Sequence, residues 1–362
     1  MRVLKFGGSS LENTKKVQNV ADFIQNELKK QGEKLVVVVS AMGKTTSKLV
    51  DFCQNLSHGS RHTLSSIITQ GENLSAAILC YELEGRKIKA SWLSSKDAHI
   101  YAKGDPLNAI ITHIDKTNIL KCLRKSDVVI ITGFQGVDNK DHVLALGRGG
   151  SDTTAVALSI VLDCEVEIYT DVDGFYTLDP NKYEQCKKLE TINIYSATEQ
   201  AHVGAKVLDK RCIELANKYK KQIYVGEPKK GVSVMNFAPL EGYTIDSISC
   251  KNEVVIVNNS TNICQFMQNN FLFASFSPNG TMLCKETESE EKLDETTLCD
   301  LIIITGSGFT IHNEFINKVF AILRKEGIDY IGLDLHPTLL KLLVPSGKGD
   351  KTVSVLSRLI TE

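Results

Sequence analysis

The sequence predicts an α/β fold in which a mainly parallel sheet is sandwiched by helices, followed by a smaller α+β domain. Short, wholly aliphatic runs such as residues 35–39 are typical of strands covered on both faces of a parallel sheet. Amphipathic helical patterns alternate with these runs, and this alternation predicts parallel strands joined by right-handed crossovers. After Val225 the helical patterns become sparse while strand-like runs continue, which indicates a second domain.

The first elements follow directly from spacing. Residues 3–6 predict a strand and residues 7–10 a turn. Apolar residues at 17, 20, 24 and 28 then lie three or four apart, as on one face of a helix. Ser9 and Glu12 have the spacing of a capping box at its start. The further predicted strands are 35–39, 88–93, 128–132, 165–170 and 222–225, and the further predicted helices are 48–56, 64–83, 153–162 and 198–218.

A linker-like segment separates the two predicted domains. Residues 227–231 combine turn formers with a charge pair. Strand-like runs follow at 232–237, 254–257 and 301–304, with one strong helical pattern at 317–325. The 362 residues suggest about two domains, which we place at residues 1–238 and 239–362.

Composition excludes several classes of protein. Lys and Arg number 42 against 43 Asp and Glu, so no electrostatic reason exists to expect a nucleic acid or an anionic membrane as partner. The longest aliphatic run falls far short of the ~20 residues of a membrane span, and residues 1–6 show no signal-peptide pattern. We therefore expect a cytoplasmic protein. None of the 10 cysteines forms a CxxC pair, which favours reduced thiols and singles out no catalytic one.

Residues 5–10, Lys-Phe-Gly-Gly-Ser-Ser, lie where a predicted strand meets a predicted helix. The glycines let the backbone approach a ligand closely, and free N–H groups at a helix start favour an anion. Lys5 adds a positive charge. The same residues are also compatible with a simple tight turn carrying an exposed lysine.

Residues 147–154 carry the strongest chemical signal. Three glycines flank Arg148 and lead into an almost wholly apolar helix, whose buried N-terminus needs hydrogen-bond acceptors. Ser151 and Asp152 could supply them as caps, and a phosphate would serve as well. The guanidinium of Arg148 suits a carboxylate.

Other polar groups are expected at the same edge of the sheet, where loops at the carboxyl ends of parallel strands gather. Ser40, Thr45 and Thr46 suit polar recognition, or a helix N-cap. Glu72 could bind an ammonium group or a metal-bound water, or simply face solvent. Residues 170–180 offer acidic groups and an aromatic ring without the spacing of an EF-hand. A second lysine, Lys206, lies at a glycine-containing helical turn.

With these residues in view, the sequence resembles the aspartokinases of the amino-acid kinase family. The resemblance covers about residues 1–238, and its motifs fall in the family order. They are KFGGSS at 5–10, VVVVSAMGKTT at 36–46, QGE at 70–72, GFQGV at 133–137, GRGGSDTTAVAL at 147–158, TDVDGFYTLDP at 170–180 and GAKVL at 204–208.

The resemblance implies the amino-acid kinase fold and the ATP-dependent phosphorylation of the β-carboxylate of L-aspartate, the first step toward lysine, threonine, methionine and diaminopimelate. It implies catalytic roles for Lys5, Asp152 and Lys206, with Asp152 positioning the two lysines. Mg²⁺ is expected between the phosphates, held more by ATP than by protein. The implied aspartate site comprises Ser40, Thr45, Thr46, Glu72, Arg148 and Ser151, and the implied nucleotide site comprises Lys5, Phe6, Gly7, Gly8, Ser9, Thr170, Asp171, Tyr176, Asp179, Lys206 and Val207.

Two departures from the family pattern keep alternatives open. Asn181 stands where the family usually has the arginine of a DPR triplet, and Asp209-Lys210 replaces the usual His-Pro. One alternative is a homologue that binds ligands and regulates without turnover. Another is an amino-acid kinase with a different acidic substrate, which the motifs at 40–46 and 70–72 disfavour.

The C-terminal third resembles paired ACT domains in part. Residues 299–362 resemble the second ACT unit, whereas the first, about 254–285, is short and divergent. Family members bind inhibitory amino acids at such units, so we expect a possible amino-acid effector and weak or absent inhibition by lysine. Pairing of ACT sheets implies a homodimer or a higher homo-oligomer.

Overall fold

The computed structural model describes residues 1–57, 59–172, 174–202, 207–226, 232–236, 243–258, 271–277, 280–286, 296–310 and 313–360. The chain forms two compact units. One comprises residues 1–174 and 206–235, and the other comprises residues 175–205 and 236–362. Residues 175–205 thus group with the C-terminal part of the chain. The two domains delimited at residue 238 from the sequence stay a prediction.

Strands and helices alternate through the first part of the chain. In chain order the strands are β1 (Arg2–Phe6), β2 (Leu35–Val39), β3 (Ala90–Leu93), β4 (Ile100–Asp105), β5 (Asn108–Ile114), β6 (Val128–Thr132), β7 (Gln135–Val137), β8 (Val143–Ala145), β9 (Glu165–Tyr169), β10 (Thr191–Asn193), β11 (Ile223–Gly226) and β12 (Val232–Asn236). The helices are α1 (Thr14–Gln31), α2 (Thr45–Gln54), α3 (Arg61–Ile68), α4 (Gln70–Gly85), α5 (Thr117–Lys125), α6 (Gly150–Leu162), α7 (Ile194–His202) and α8 (Lys210–Lys218).

The central sheet of the first unit confirms the predicted parallel architecture. Its strands lie in the order β12-β11-β9-β1-β2-β6-β3. All neighbours are parallel except β11 and β12. Helices α1 and α4 pack on one face through residues such as Ile24 and Leu79, and α6 packs on β1, β2 and β9. Because both faces are covered, β1, β2 and β6 are buried along their whole length.

A smaller sheet adjoins this core in the order β5-β4-β7-β8. It packs through small and aliphatic side chains, including Ala102, Ala109 and Leu144. Strands β4 and β5 form an antiparallel hairpin, and β8 ends just before the glycine-rich segment at residue 147. The sequence patterns did not predict this sheet.

Three predicted helix features were wrong. Helix α1 begins after Asn13, whose side chain accepts a hydrogen bond from Lys16 N, whereas Ser9 belongs to a short 3-10 helix, Gly8–Leu11. The predicted helix 64–83 is interrupted at Thr69. The predicted helix 198–218 is two helices, because Asp209 begins a new one as the N-cap of α8.

The second unit contains an antiparallel sheet covered by helices. Its further strands are β13 (Thr244–Asn258), β14 (Phe271–Ser277), β15 (Gly280–Glu286), β16 (Thr296–Ser307), β17 (Gly332–His336) and β18 (Leu339–Pro345), and its further helices are α9 (Asn313–Lys325), α10 (Gly349–Leu356) and the 3-10 helix Ser357–Ile360. The strand order is β14-β15-β13-β16-β18-β17. Phe315, Val319 and Val353 pack against Ile302 and Leu342 of the sheet. This α+β arrangement confirms the predicted class of the C-terminal part.

The structure also bears on two predictions from composition, which concern membrane-spanning segments and the state of the cysteines. Among the described residues, no helix has both the length and the apolar character needed to cross a bilayer. Described cysteines such as Cys80, Cys212 and Cys299 are free thiols, in agreement with the reduced state expected from their spacing.

Candidate active site

The loops at the carboxyl ends of the parallel strands are tied to one another by backbone hydrogen bonds. Gly7 N donates to Tyr169 O at 3.1 Å, and Ser40 N donates to Phe6 O at 3.2 Å. Gly133 N donates to Val39 O at 3.0 Å in the same manner. These bonds continue the sheet registers beyond the strand ends. The segments after β1, β2, β6 and β9 therefore lie side by side along one edge.

Gly8 is a point of close approach between the first two of these segments. Its carbonyl accepts a hydrogen bond of 2.9 Å from Gly43 N. A Cβ atom at position 8 would lie 2.4 Å from Ala41 O, so only glycine fits there. Gly7 is buried, and Gly8 and Ser9 are half-buried. Because the two loops pack closely, backbone atoms line the edge of the sheet beside the end of β1.

Lys5 and Asp152 form a buried ion pair in the middle of this edge. The Lys5 Nζ atom lies 2.6 Å from Asp152 Oδ1, and the two side chains are 9% and 15% exposed. Lys5 is supplied by β1 and Asp152 by the first turn of α6. The two residues lie 147 positions apart in the chain, yet the packing of α6 on β1 brings their charges into contact.

Helix α6 begins without a side-chain N-cap. Its N-cap position is Gly149, in a left-handed conformation with φ of +67°. Neither Ser151 nor Asp152 therefore caps the helix, the alternative left open from the sequence. Ser151 is buried against Gly133, while Arg148 is exposed and forms no ion pair with any described residue. Gly150 N donates to Gly147 O at 3.0 Å, so the turn before the helix pairs its first N–H group, and the positive end of the helix dipole lies next to the Arg148 guanidinium.

Glu72 is a buried carboxylate with one free oxygen. Only 3% of the residue is exposed. Its Oε1 atom accepts a hydrogen bond of 3.0 Å from Ala41 N, whereas Oε2 is buried without a hydrogen-bond partner among the described residues. Desolvation by burial raises the pKa of Glu72 to about 7. A bound cation or ammonium group at Oε2 would remove this penalty.

Three side chains with hydroxyl groups follow β2, and one of these hydroxyls forms a hydrogen bond within its own turn. Ser40, Thr45 and Thr46 are half-buried. Thr45 Oγ1 donates a hydrogen bond of 2.7 Å to Met42 O, so this hydroxyl stabilises the turn before α2. The hydrogen bond leaves the Thr45 oxygen able to accept from a ligand.

The predicted nucleotide residues are divided between the two units. Thr170 follows β9 in the first unit, and its Oγ1 donates to Asp171 Oδ1 at 3.0 Å. Tyr176 and Asp179 belong to the second unit. There Asn181, in the place of the family arginine, donates from its N and Nδ2 atoms to Asp179 Oδ1 at 2.9 and 3.2 Å.

The turn before α8 is described from Val207 onward, and Lys206 lies outside the described residues. Val207 is half-buried. Asp209, in the place of the family histidine, accepts a hydrogen bond of 3.0 Å from Arg211 N as the N-cap of α8. The substitution therefore provides a helix cap at this turn.

Sequence reasoning missed two residues that support this edge. Arg211 donates to Leu146 O, to Asn108 Oδ1 at 3.2 Å and to Ala109 O at 2.8 Å. These bonds connect α8 to the segment before Gly147 and to the start of β5. Cys212 is fully buried, and burial raises the pKa of its thiol, with Asp152 and Asp209 adding to the shift. Only the DKRC run at 209–212 hinted at them in the sequence.

These features define a class of protein: an α/β domain with cationic and amide-rich loops along one sheet edge, suited to bringing anionic groups together. Residues 1–227 match the family model described as the amino acid kinase family. The chain belongs to this family.

The chain is similar to aspartokinases in sequence. It is 39% identical over 248 residues to an aspartokinase from Geobacillus stearothermophilus, covering 67% of this chain and 61% of that relative. It is 42% identical over 218 residues to one from Helicobacter pylori (strain J99 / ATCC 700824), covering 60% of this chain and 54% of that relative. The aligned region thus spans less than two thirds of the length of these curated relatives.

Solved structures share the fold of the whole chain. The crystal structure of E. coli aspartokinase III in complex with aspartate and ADP matches with a TM-score of 0.80 over 100% of both chains at 20% identity. The aspartate kinase from Clostridium acetobutylicum matches with a TM-score of 0.78 over 99% of this chain and 100% of its own, at 18% identity. These matches confirm the predicted fold class.

Proposed function

We propose that this protein is an aspartokinase, which transfers the γ-phosphoryl group of ATP to the β-carboxylate of L-aspartate and yields 4-phospho-L-aspartate and ADP. The observation that carries the proposal is the buried Lys5–Asp152 pair of 2.6 Å beside the glycine loop. The sequence similarity to named aspartokinases supports the same activity.

The phosphate side of the site rests on positive charge and backbone N–H groups. In the proposal Lys5 and the N–H groups of Gly7, Gly8 and Ser9 hold the phosphates of ATP, with Phe6 supporting the loop from β1. Lys206 brings a second cation to the phosphoryl group in transfer. Asp152 positions Lys5, because its carboxylate is paired with Nζ. Thr170, Asp171 and Val207 of the first unit contact the nucleotide, and the assignment of Tyr176 and Asp179 of the second unit to the nucleotide stays a prediction.

The aspartate side rests on two groups of opposite charge. Arg148, exposed and without an ion pair among the described residues, takes the α-carboxylate of the substrate. The Oε2 atom of Glu72, which has no partner among the residues described, takes its α-ammonium group. Ser40, Thr45, Thr46 and Ser151 line the pocket between them. Because the α-carboxylate and the α-ammonium group are both substituents of the α-carbon, these contacts would hold one end of the substrate and leave the β-carboxylate at the other end to face the phosphates.

The reaction needs no general base. A carboxylate with a pKa of about 4 is ionised at neutral pH, so an oxygen of the β-carboxylate attacks the γ-phosphorus directly. The new P–O bond forms as the bond to the bridging oxygen breaks, and ADP leaves with that electron pair. The protein contributes positioning and neutralisation of the phosphate charge.

Magnesium fits this site as a companion of the nucleotide. The Asp152 carboxylate at the glycine loop is already paired with Lys5, so phosphate oxygens would hold most of the ion, which supplies charge neutralisation when bound.

The test is an assay with Mg-ATP and L-aspartate in which hydroxylamine traps the acyl phosphate. We expect trapped product that depends on both substrates. Failure to form product, with a known aspartokinase active in parallel, would contradict the proposal. A shift in melting temperature with ATP or aspartate but without turnover would support the regulatory homologue instead. Greater kcat/KM with another acidic acceptor would support the different-substrate alternative.

Arg148→Ala gives a residue-level test. We expect KM for aspartate to rise by roughly tenfold to a hundredfold, since a charge-assisted hydrogen bond contributes about 1.5–3 kcal/mol. The matched control is Arg124→Ala, which removes an exposed arginine from α5. Unchanged KM for aspartate in Arg148→Ala would show that the assignment of the α-carboxylate site is wrong.

The second unit is the proposed regulatory part. E. coli aspartokinase III has been solved in complex with lysine and aspartate, and we propose that an amino-acid effector binds to this unit here as well. Because the segment 254–285 is short, we expect lysine itself to inhibit weakly or not at all. Strong inhibition by millimolar lysine in the trapping assay would contradict this expectation.

We also propose that the protein forms a homodimer or a higher homo-oligomer and that it is located in the cytoplasm. Light scattering tests the oligomeric state.

A further inference from the structure

We propose that His62, Asp138 and His142 form a surface site for a divalent transition-metal ion, such as Zn²⁺, that links α3 to the loop between β7 and β8. The three residues belong to the first unit, and they are not among the residues that we assign to aspartate or ATP. Among the described residues, they are the group of His, Cys, Asp and Glu side chains brought together tightly enough to share one ion.

The geometry of this cluster is close to that of a metal site. One ligand atom from each residue lies within 4.8 Å of the other two. The imidazole rings of His62 and His142 have centroids 4.9 Å apart, and His142 Nδ1 lies 3.0 Å from Asp138 Oδ2. Ligands of a tetrahedral zinc ion are about 3.3 Å apart, as Zn–N distances of 2.0–2.1 Å require. Rotation of the two exposed histidines can close the difference.

The carboxylate of this cluster is held in place by its own loop. Asp138 Oδ1 accepts hydrogen bonds of 2.8 Å each from the backbone N–H groups of Lys140 and His142. This leaves Oδ2 facing the imidazole of His142. Backbone bonds that fix a ligand carboxylate reduce the entropy lost when an ion binds.

The two segments that the ion would join are already held together one turn further along α3. Ser65 Oγ donates to Val143 O at 2.9 Å and accepts from Ala145 N at 2.8 Å. His62 lies one turn before Ser65, at the solvent end of the same contact. The protein backbone therefore brings the ligands together without a large rearrangement.

Ligand chemistry selects the ion. Two imidazoles and one carboxylate suit Zn²⁺, Co²⁺ or Ni²⁺, whereas Mg²⁺ prefers oxygen ligands and retains its waters. Because the histidines are exposed, water would complete the coordination.

The test is isothermal titration of chelator-treated protein with Zn²⁺, Co²⁺ or Mg²⁺, without nucleotide. We expect one Zn²⁺ or Co²⁺ per chain at micromolar affinity and no competition by millimolar Mg²⁺. His62→Ala, His142→Ala and Asp138→Asn should each weaken binding at least tenfold. The control His113→Ala, which removes another exposed histidine of the same unit, should bind as the wild type does.

The cysteines require a second readout, because thiolates also bind these metals. We expect the absorption spectrum of bound Co²⁺ to lack thiolate charge-transfer bands. Zn²⁺ should raise the melting temperature of the wild type and of His113→Ala, but not that of the double variant His62→Ala/His142→Ala. Undiminished binding in the double variant, or a thiolate spectrum, would overturn the proposal.

Discussion

The backbone N–H of Ala41 donates a hydrogen bond of 3.0 Å to Oε1 of Glu72. This bond joins the loop after β2 to the first turn of α4. It accounts for one oxygen of a carboxylate that is almost completely removed from water, and Oε2 has no hydrogen-bond partner in the part of the chain that the structure describes. A buried acid held in this way is suited to bind a cation, and it makes both ligand binding and stability sensitive to pH.

Glu72→Gln tests the ammonium site. Glutamine keeps the shape and can still accept from Ala41 N, but it removes the negative charge that we assign to the substrate ammonium group. We expect KM for aspartate to rise roughly tenfold to a hundredfold, with KM for ATP nearly unchanged. Steady-state kinetics with Glu84→Gln, an exposed position on the same helix, provides the control. Equal KM values for aspartate in both variants would exclude Glu72 from the substrate site.

The raised pKa of Glu72 predicts a pH dependence of folding. Its folded-state value of about 7, caused by desolvation, lies above the ordinary value of 4.5. Between these values the folded state binds more protons than the unfolded state, so the contribution of Glu72 to stability falls as pH rises. The difference corresponds to about 3 kcal/mol across this window. Urea unfolding at several pH values should show a flatter profile for Glu72→Gln, and an identical slope in wild type and variant would contradict the assignment.

Much of this site could be anticipated from local sequence, because the motifs follow the ends of predicted strands. The pairing partners could not be read from local patterns: the Lys5–Asp152 pairing was expected only from the family resemblance, and the contact between Gly149 and Asp209 was not expected at all. Lys5 and Asp152 meet only because α6 packs on β1, and the contact of Asp209 with Gly149 joins segments 60 residues apart. Such contacts depend on tertiary packing, which has no periodic signature in the sequence. Lys206 lies outside the described residues, so its approach to the phosphates stays a prediction.

The secondary structure was likewise predicted where the local sequence pattern determines it and missed where tertiary packing does. Strands such as Leu35–Val39 and Val128–Thr132 were predicted at their observed bounds, because a strand buried on both faces is continuously apolar. The break between α3 and α4 was missed because a tertiary contact accompanies it: Gln135 Nε2 donates to Thr69 O at 3.2 Å. The small sheet was missed since β4 and β5 are partly exposed and β7 and β8 have only 3 residues each.

Lys5→Met tests the buried pair. Removing the lysine leaves Asp152 as an uncompensated charge, which costs about 3–5 kcal/mol for a buried pair. The double variant Lys5→Met/Asp152→Asn removes both charges and should recover part of that stability. Both variants should lose at least a hundredfold in kcat, because the phosphates lose their cation.

Chemical denaturation and the hydroxylamine assay separate the two effects of Lys5. If the double variant were as unstable as Lys5→Met, the pair would not be the source of the lost stability. If Lys5→Met kept wild-type kcat, Lys5 could not be the cation that holds the phosphates.

Gly149→Ala tests two separate reasons why α6 begins at a glycine, the left-handed φ and the close approach of Asp209. Its φ of +67° strains any residue with a Cβ atom, and that atom would lie 2.1 Å from Cβ of Asp209. Gly32 offers a matched control, because it has a similar φ of +62° and no described residue has an atom within 4 Å of an added Cβ. Gly32→Ala should therefore show backbone strain without a collision, about 1–2 kcal/mol. Gly149→Ala should lose more stability than Gly32→Ala.

The excess loss in Gly149→Ala has a specific origin and a specific consequence. To relieve the collision, either α6 or the N-cap of α8 must shift, and a shift of α6 moves Asp152 away from Lys5. We therefore expect Gly149→Ala to lower kcat as well as stability, whereas Gly32→Ala keeps wild-type kinetics. Thermal unfolding and initial rates measured on both variants check this. Equal destabilisation of the two variants, with full activity in both, would mean that the contact between Gly149 and Asp209 does not constrain the site.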